Sequence, residues 1–277
     1  MQIASTDGVT VTVHDLGGTG EPFLISHATG FCGRAYEPIA ERLATRHHVW
    51  ALDYRGHGDT AAPANNRFDW NGMADDLQAV IKELTSSPLR VFGHSMGGAT
   101  AVMVEHRAPG TLRSAYLYEP IIGPIAMELP LGADPMSDRA LRRRPGFPSK
   151  AEALQRYAGR PPLNSLQAGA LAAYVEHGFV DEPDGSVRLK CRPEYEAATF
   201  AAPGKPTIAL AAEVSTPTIV AIGETGGDWG PALFGPDLAA AMPNARLQRI
   251  ERLGHFGPLQ DPVAIANAIL EQEDASS

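Results

Sequence analysis

Leu89-Arg90-Val91-Phe92-Gly93-His94-Ser95-Met96-Gly97-Gly98-Ala99-Thr100-Ala101-Val102 is the stretch on which the reading of this chain turns. A short apolar run leads into a serine with glycines two positions to either side, and small residues that suit a helix follow. The order expected is strand, abrupt turn, helix. Such a turn crowds any Cβ near its apex, and Gly93 and Gly97 supply the room. The Ser95 hydroxyl is then left projecting from the carboxyl edge of a sheet. The helix start behind it offers free N–H groups to an anion. The pattern G-x-S-x-G between a strand and a helix is a nucleophile elbow.

Working outward, strands and helices alternate on both sides. Val9, Val11 and Val13 alternate with polar residues after an Asp7-Gly8 turn, which suggests an antiparallel pair at a sheet edge. A buried strand is expected at 22–26, running into His27-Ala28-Thr29-Gly30. A helix at 36–44 and a strand at 48–52 follow, the latter ending in Asp53-Tyr54-Arg55-Gly56-His57-Gly58. Met73, Leu77, Val80, Ile81 and Leu84 recur at helical spacing over 70–84. Beyond the elbow, a strand at 114–118 ends at Glu119-Pro120. From Ile121 to Ala212 prolines cluster, strand-like runs vanish, and helical patches stand around 150–157, 167–177 and 193–200. Alternation resumes with a strand at 218–223, a helix near 236–241, a strand at 246–250, the loop 253–257 and a helix at 262–271. This is the α/β class, with a mostly parallel sheet and helices on both faces. Its core is read as 1–120 and 213–277, interrupted by a helical insertion at 121–212.

Composition narrows the partners. Of 277 residues, 44% are hydrophobic and 20% charged, as in an ordinary globular protein. The net charge of −9 makes nucleic acid and anionic membrane surfaces poor partners. The basic run Arg142-Arg143-Arg144 reads as a solvated helix face. Two cysteines, Cys32 and Cys191, are too few for a disulfide framework. The first residues carry neither a basic n-region nor an apolar h-region, and no apolar stretch is long enough to span a bilayer. A cytoplasmic protein with a small-molecule substrate is expected. No Cys/His cluster has metal-ligand spacing, so neither metal nor cofactor is expected.

A serine hydroxyl is a poor nucleophile until a base takes its proton. Among nine histidines, His255 is the candidate base, because Gly254-His255-Phe256-Gly257 follows the last strand at the edge where catalytic groups gather. Two carboxylates could orient it. Glu119 ends the strand after the elbow helix, and Asp228 lies in the loop after the 218–223 strand. Glu119 is preferred, since a strand end and Pro120 define its position. An oxyanion needs preorganised N–H donors. The candidates are the backbone N–H of Met96 and that of Thr29. Phe31, His94 and Trp229 adjoin these segments and are candidate pocket residues.

These motifs, in this order, resemble the α/β-hydrolase superfamily over nearly the whole chain outside the insertion. His27-Ala28-Thr29-Gly30 stands for its HG-x-P oxyanion loop and Asp53-Tyr54-Arg55-Gly56-His57-Gly58 for its D-x-R-G-x-G-x-S turn. Gly93-His94-Ser95-Met96-Gly97-Gly98 and Gly254-His255-Phe256 complete the set. The resemblance implies that Arg55, Gly56 and Gly58 are structural and that 121–212 is the cap over the pocket. Ala28 and Gly30 replace the family's usual glycine and proline, and Gly226 stands where the acid usually does. Zearalenone-type lactonases carry their acid where Glu119 sits. A serine at the elbow excludes the dehalogenase and epoxide-hydrolase branches, which resemblance says use a carboxylate there. The expected activity is hydrolysis of a small, fairly apolar ester or lactone through an acyl-enzyme. A cofactor-free perhydrolase, a C–C bond hydrolase, or a ligand receptor on the same fold are the alternatives.

Overall fold

The computed structural model describes residues 1–125, 134–224 and 230–274. Its strands are β1 (Gln2–Ala4), β2 (Thr10–Asp15), β3 (Glu21–Ser26), β4 (His47–Asp53), β5 (Leu89–His94) and β6 (Leu112–Tyr118). They continue with β7 (Gly146–Phe147), β8 (Phe179–Asp181), β9 (Val187–Leu189), β10 (Thr218–Gly223) and β11 (Ala245–Ile250). Eight of them form one sheet in the order β1-β2-β4-β3-β5-β6-β10-β11. From β4 to β11 every neighbouring pair is parallel, while β2 runs antiparallel to both β1 and β4.

Side-chain alternation along the strands divides the interior in two. Phe23 and Ile25 of β3 face the helices Glu37–Leu43 and Pro262–Asp274, with Ile39, Leu43, Ile265 and Ile269. Leu24, between them, faces the helices Trp70–Leu84, Met96–Arg107 and Pro231–Ala241, with Met73, Leu77, Val102 and Leu238. Burial of each such side chain contributes about 1.5–3 kcal/mol. The turn after β4 is pinned by Arg55, fully buried, whose guanidinium meets Asp76 through Nε at 2.9 Å and Nη2 at 2.8 Å. Among the described residues no helix is long and apolar enough to cross a membrane.

Between β6 and β10 the chain forms the helices Pro135–Leu141, Lys150–Ala158, Ala168–Gly178 and Pro193–Ala201. It also forms a small antiparallel sheet, β7-β9-β8, which the sequence reading did not foresee. Strands of two or three residues are too short to show an alternation. This segment is tied to loops at the carboxyl edge of the large sheet. The Tyr174 hydroxyl donates to the Gly30 carbonyl at 3.1 Å, Trp70 Nε1–H donates to the Thr199 carbonyl at 3.1 Å, and Lys190 pairs with Asp59.

The reading of Arg142-Arg143-Arg144 as a solvated helix face needs correction. The helix ends at Leu141, and only Arg142 and Arg144 are exposed. Arg143 turns inward to an ion pair with Glu196 and donates to the Tyr174 hydroxyl at 2.7 Å. A half-buried guanidinium is tolerable because a carboxylate and a phenol oxygen replace part of its water. Its partner lies 53 residues away, so no local pattern announces the pair.

The elbow rests on close backbone approach. A methyl group at Gly97 would overlap the Ser26 carbonyl, and one at Gly93 would overlap Gly97 and Gly98. Gly110 offers a control, since φ is +86° there but no atom lies within 4 Å of its Cβ position. We expect Gly110→Ala to cost roughly 1–2 kcal/mol, the ordinary price of a left-handed residue. Gly97→Ala should cost about 3 kcal/mol or more, because backbone atoms cannot yield as side chains do. Urea denaturation of the two variants checks the order. Equal losses would mean that close approach is not what Gly97 provides.

Candidate active site

Ser95 stands between β5 and the helix Met96–Arg107 with φ 57° and ψ −114°, a conformation costly for a residue with a Cβ. Its N–H donates to the Tyr118 carbonyl at 2.9 Å. Its own carbonyl accepts from Gly98 and Ala99 at 3.1 Å and from Ile121 at 3.2 Å. Those bonds hold the residue in place while the hydroxyl itself makes no hydrogen bond to any described residue. Serine–histidine bonds are often loose without a bound substrate.

His255 lies between β11 and the short helix Gly257–Gln260. Its Nδ1 is 2.7 Å from Glu119 Oε2. Glu119 is 1% exposed, and its other oxygen accepts from the Gly223 N–H at 2.9 Å. Both carboxylate oxygens are therefore engaged, one by the ring and one by the backbone at the end of β10. Glu119 has φ 43°, and its N–H donates to the Ala221 carbonyl at 2.8 Å. The other expected acid, Asp228, lies outside the described residues, as does Trp229. The loop carrying His255 has further struts. Tyr118 donates to the Gly254 carbonyl at 2.8 Å, and the Gly254 N–H donates to Gln260 Oε1 at 2.9 Å.

Thr29 and Met96 are brought into contact, with Thr29 Oγ1 3.4 Å from Met96 Sδ. Among the described residues neither backbone N–H has a partner. The orientation of the Thr29 N–H follows from its peptide plane. The Ala28 carbonyl accepts from the Phe31 N–H at 3.2 Å and from His27 Nδ1 at 2.8 Å. In a trans peptide the N–H points opposite the C=O, so fixing one fixes the other. Gly30, at φ 81°, closes this turn in a conformation that proline cannot adopt, which accounts for its presence in place of the family's usual residue. A side chain there would also overlap Glu196 Oε1.

The pocket candidates separate. Phe31 is buried with its ring centroid 4.8 Å from Tyr174 and 5.8 Å from Phe256, the neighbour of His255. His94 is different. It is fully buried, and both ring nitrogens are taken inside the protein, Nδ1 by the Tyr36 hydroxyl and Nε2 by the His255 carbonyl, each at 2.7 Å. It is a strut beneath the site and not a wall of it. Phe256, Tyr174 and Arg143 escaped the sequence reading; only Phe256, adjoining His255, carried a local signal.

Buried histidines surround the site. Burial pushes His27 down to about 3, and burial lowers His57 and, strongly, His94, the latter aided by the nearby His255. His27 Nε2 accepts from the Tyr54 N–H at 3.1 Å, so a neutral ring with hydrogen on Nδ1 satisfies every partner. Both cysteine thiols are buried and raised by that burial, which keeps them unreactive. Among the described residues His14, Asp53 and Asp59 bring possible metal-ligand atoms within 4.8 Å of one another. Asp53 is already held by His14 and by the Gly33 and Asp59 N–H groups, and Asp59 by Lys190. The cluster works as an ion-pair network joining β2, β4 and the segment beyond β6.

An α/β sheet with a strained serine at a strand–helix turn, a histidine after the last strand and a carboxylate on that histidine defines a hydrolase of the nucleophile-elbow class. The alpha/beta hydrolase family model matches residues 11–268, and the chain belongs to that family. A putative non-heme bromoperoxidase, BpoC, of Mycobacterium tuberculosis is 26% identical over 262 residues, 93% of this chain and 95% of that one. Among solved structures, E-2-(acetamidomethylene)succinate hydrolase superposes with a TM-score of 0.82 at 22% identity, covering 99% of both chains. A thermophilic esterase from Thermogutta terrifontis does so with a TM-score of 0.75 at 23% identity, over 99% of this chain and 98% of that one.

The neutral histidines carry a consequence for stability. Free histidine titrates near 6.5, and His27, His57 and His94 titrate lower in the folded chain. Below pH 6.5 the unfolded chain binds protons that the native chain refuses, so stability present above that value is lost as pH falls. Each such histidine adds a slope approaching about 1.4 kcal/mol per pH unit, so three give up to roughly 4. Unfolding free energies from urea titrations at pH 7, 6 and 5 should fall along this slope. A flat profile would mean that these rings are protonated in the native state.

Proposed function

We propose that this chain is a serine hydrolase that cleaves a small, fairly apolar carboxylic ester or lactone through an acyl-enzyme. The observation that carries the reading is the 2.7 Å contact of His255 Nδ1 with Glu119, a carboxylate itself held by the Gly223 N–H. An ionised carboxylate accepts, so Nδ1 carries the hydrogen and Nε2 is left as the base. His255 takes the proton of Ser95 as Oγ attacks the carbonyl carbon. The N–H groups of Thr29 and Met96 receive the oxyanion, each such donor being worth about 10²–10³ in rate. Collapse breaks the bond to the leaving oxygen, which takes the proton from His255. Water, deprotonated by the same nitrogen, then attacks the acyl carbon and releases the acid and Ser95. Phe256 lies beside His255, and Phe31 and Tyr174 extend the aromatic surface from it, which favours an apolar acyl or alcohol group.

The esterase from Thermogutta terrifontis and the succinate-derivative hydrolase are named for hydrolysis on this fold, which is consistent with the reading. The bromoperoxidase relative favours a second one, in which hydrogen peroxide replaces water as the nucleophile that releases the acyl group. A panel of esters assayed with and without peroxide separates the two, since a perhydrolase consumes ester faster when peroxide is added.

Intact-mass spectrometry after fluorophosphonate treatment should find one adduct on the native chain and none on Ser95→Ala. Glu119→Gln should lower kcat on a reactive ester by up to about 10⁴-fold, because the amide favours the wrong imidazole tautomer. If Glu119→Gln retains its rate while Asp228→Asn loses it, the acid is Asp228. No adduct on the native chain, with tight retention of a ligand, would turn the reading to a receptor.

A further inference from the structure

Tyr36 belongs to none of the sequence motifs, yet its hydroxyl is buried at the meeting point of two of them. It lies 3.2 Å from the Ala28 nitrogen, in the loop that presents Thr29, and 2.7 Å from His94 Nδ1, in the elbow. On the far side of the same ring, His94 Nε2 lies 2.7 Å from the His255 carbonyl. The direction of each bond can be worked out. An amide N–H only donates, so Tyr36 Oη accepts from Ala28. A carbonyl only accepts, so the hydrogen of a neutral His94 is on Nε2. Nδ1 is then a lone pair, and the Tyr36 O–H must donate to it. One arrangement satisfies every group: Ala28 N–H to Tyr36, Tyr36 O–H to His94, and His94 N–H to the His255 carbonyl.

We propose that Tyr36 and His94 are positioning residues: their hydrogen-bond chain sets the distance between the loop that holds the oxyanion and the loop that carries the base. The inference rests on the serine-hydrolase reading above. Its physical basis is that the Tyr36 hydroxyl and both His94 ring nitrogens belong to fully buried side chains and meet their partners at 3.2, 2.7 and 2.7 Å, so the two loops cannot shift independently without leaving one of these groups unpaired. The chain touches no substrate. Its loss should therefore raise the barrier while leaving ground-state binding nearly intact.

Tyr36→Phe removes the hydroxyl and keeps the ring. We expect kcat on p-nitrophenyl acetate to fall about 10–100-fold with KM within about twofold, up to the roughly 10²-fold that a misplacement of about 1 Å can cost. Two further variants divide the chain. In His94→Gln the amide nitrogen reaches the Nε2 position and keeps the bond to the His255 carbonyl. In His94→Asn the amide oxygen stands near Nδ1 and keeps the bond to Tyr36. The rate ratio of an ester to its thionoester, which reports oxyanion contacts, should fall in Tyr36→Phe and His94→Gln and be largely kept in His94→Asn. The downfield proton resonance of His255 Nδ1–H should shift in His94→Asn and be kept in His94→Gln. A merely structural role would lower the melting temperature of all three without this division. Tyr36→Phe with kcat within twofold of the native value overturns the proposal, as does ¹⁵N-histidine NMR placing the His94 hydrogen on Nδ1. If the native chain neither turns over esters nor takes a fluorophosphonate, the hydrolase reading is what has failed. The ¹⁵N shifts of His94, expected to place its hydrogen on Nε2, and a His255 resonance that moves in His94→Asn but not in His94→Gln then still decide whether the chain couples the two loops.

Discussion

The reversal of the backbone at Ser95 is the constraint on which the rest of the molecule depends. At φ 57° and ψ −114° the residue gives up roughly 1–3 kcal/mol that its surroundings must return. They do so through four backbone bonds, one to Tyr118 and three from Gly98, Ala99 and Ile121. Strands β5 and β6, the helix Met96–Arg107 and the chain leaving β6 thus meet at a single residue. The same device recurs along this edge. Glu119 after β6 and Arg252 after β11 also have positive φ, as do only Asp7 and Asn66 among the other described non-glycine residues. Strain concentrated at the ends of three parallel strands is what aims side chains across the sheet edge instead of along it.

The large sheet was legible because its strands are apolar runs broken by glycine and proline, and its helices show the spacing of one buried face. The elbow and the loop of His255 were legible for a different reason, since close packing leaves glycine no substitute there. Glu119 could be singled out because a strand end fixes where a side chain starts, and its contact with His255 is the one expected of it. What stayed hidden depends on partners far apart in sequence. Arg143 looks like its neighbours until Glu196 and Tyr174 are folded against it. His94 stands next to the nucleophile and invites a place in the pocket, yet Tyr36 and the His255 loop enclose it. The strands β7, β8 and β9 are stabilised by burial of Phe147, Phe179, Val187 and Leu189 in a shared cluster, which no short window reveals.

Charge around the site is compensated locally. The guanidinium of Arg143 sits against Glu196 over Gly30, and the three buried histidines are neutral. Glu119 is the carboxylate directed at His255, with Oε2 2.7 Å from Nδ1. The pair over Gly30 does a separate job, seating the segment between β6 and β10 on the loop that presents Thr29.

The placement of that carboxylate bears on how the protein can evolve. β6 carries it and the Gly223 N–H steadies it, and a side chain at that glycine would overlap the Leu253 carbonyl and the Tyr118 hydroxyl. With Glu119 as the acid of the proposed mechanism, the connection that follows is relieved of supplying one, and changes in its length or composition would leave the groups gathered around His255 in place.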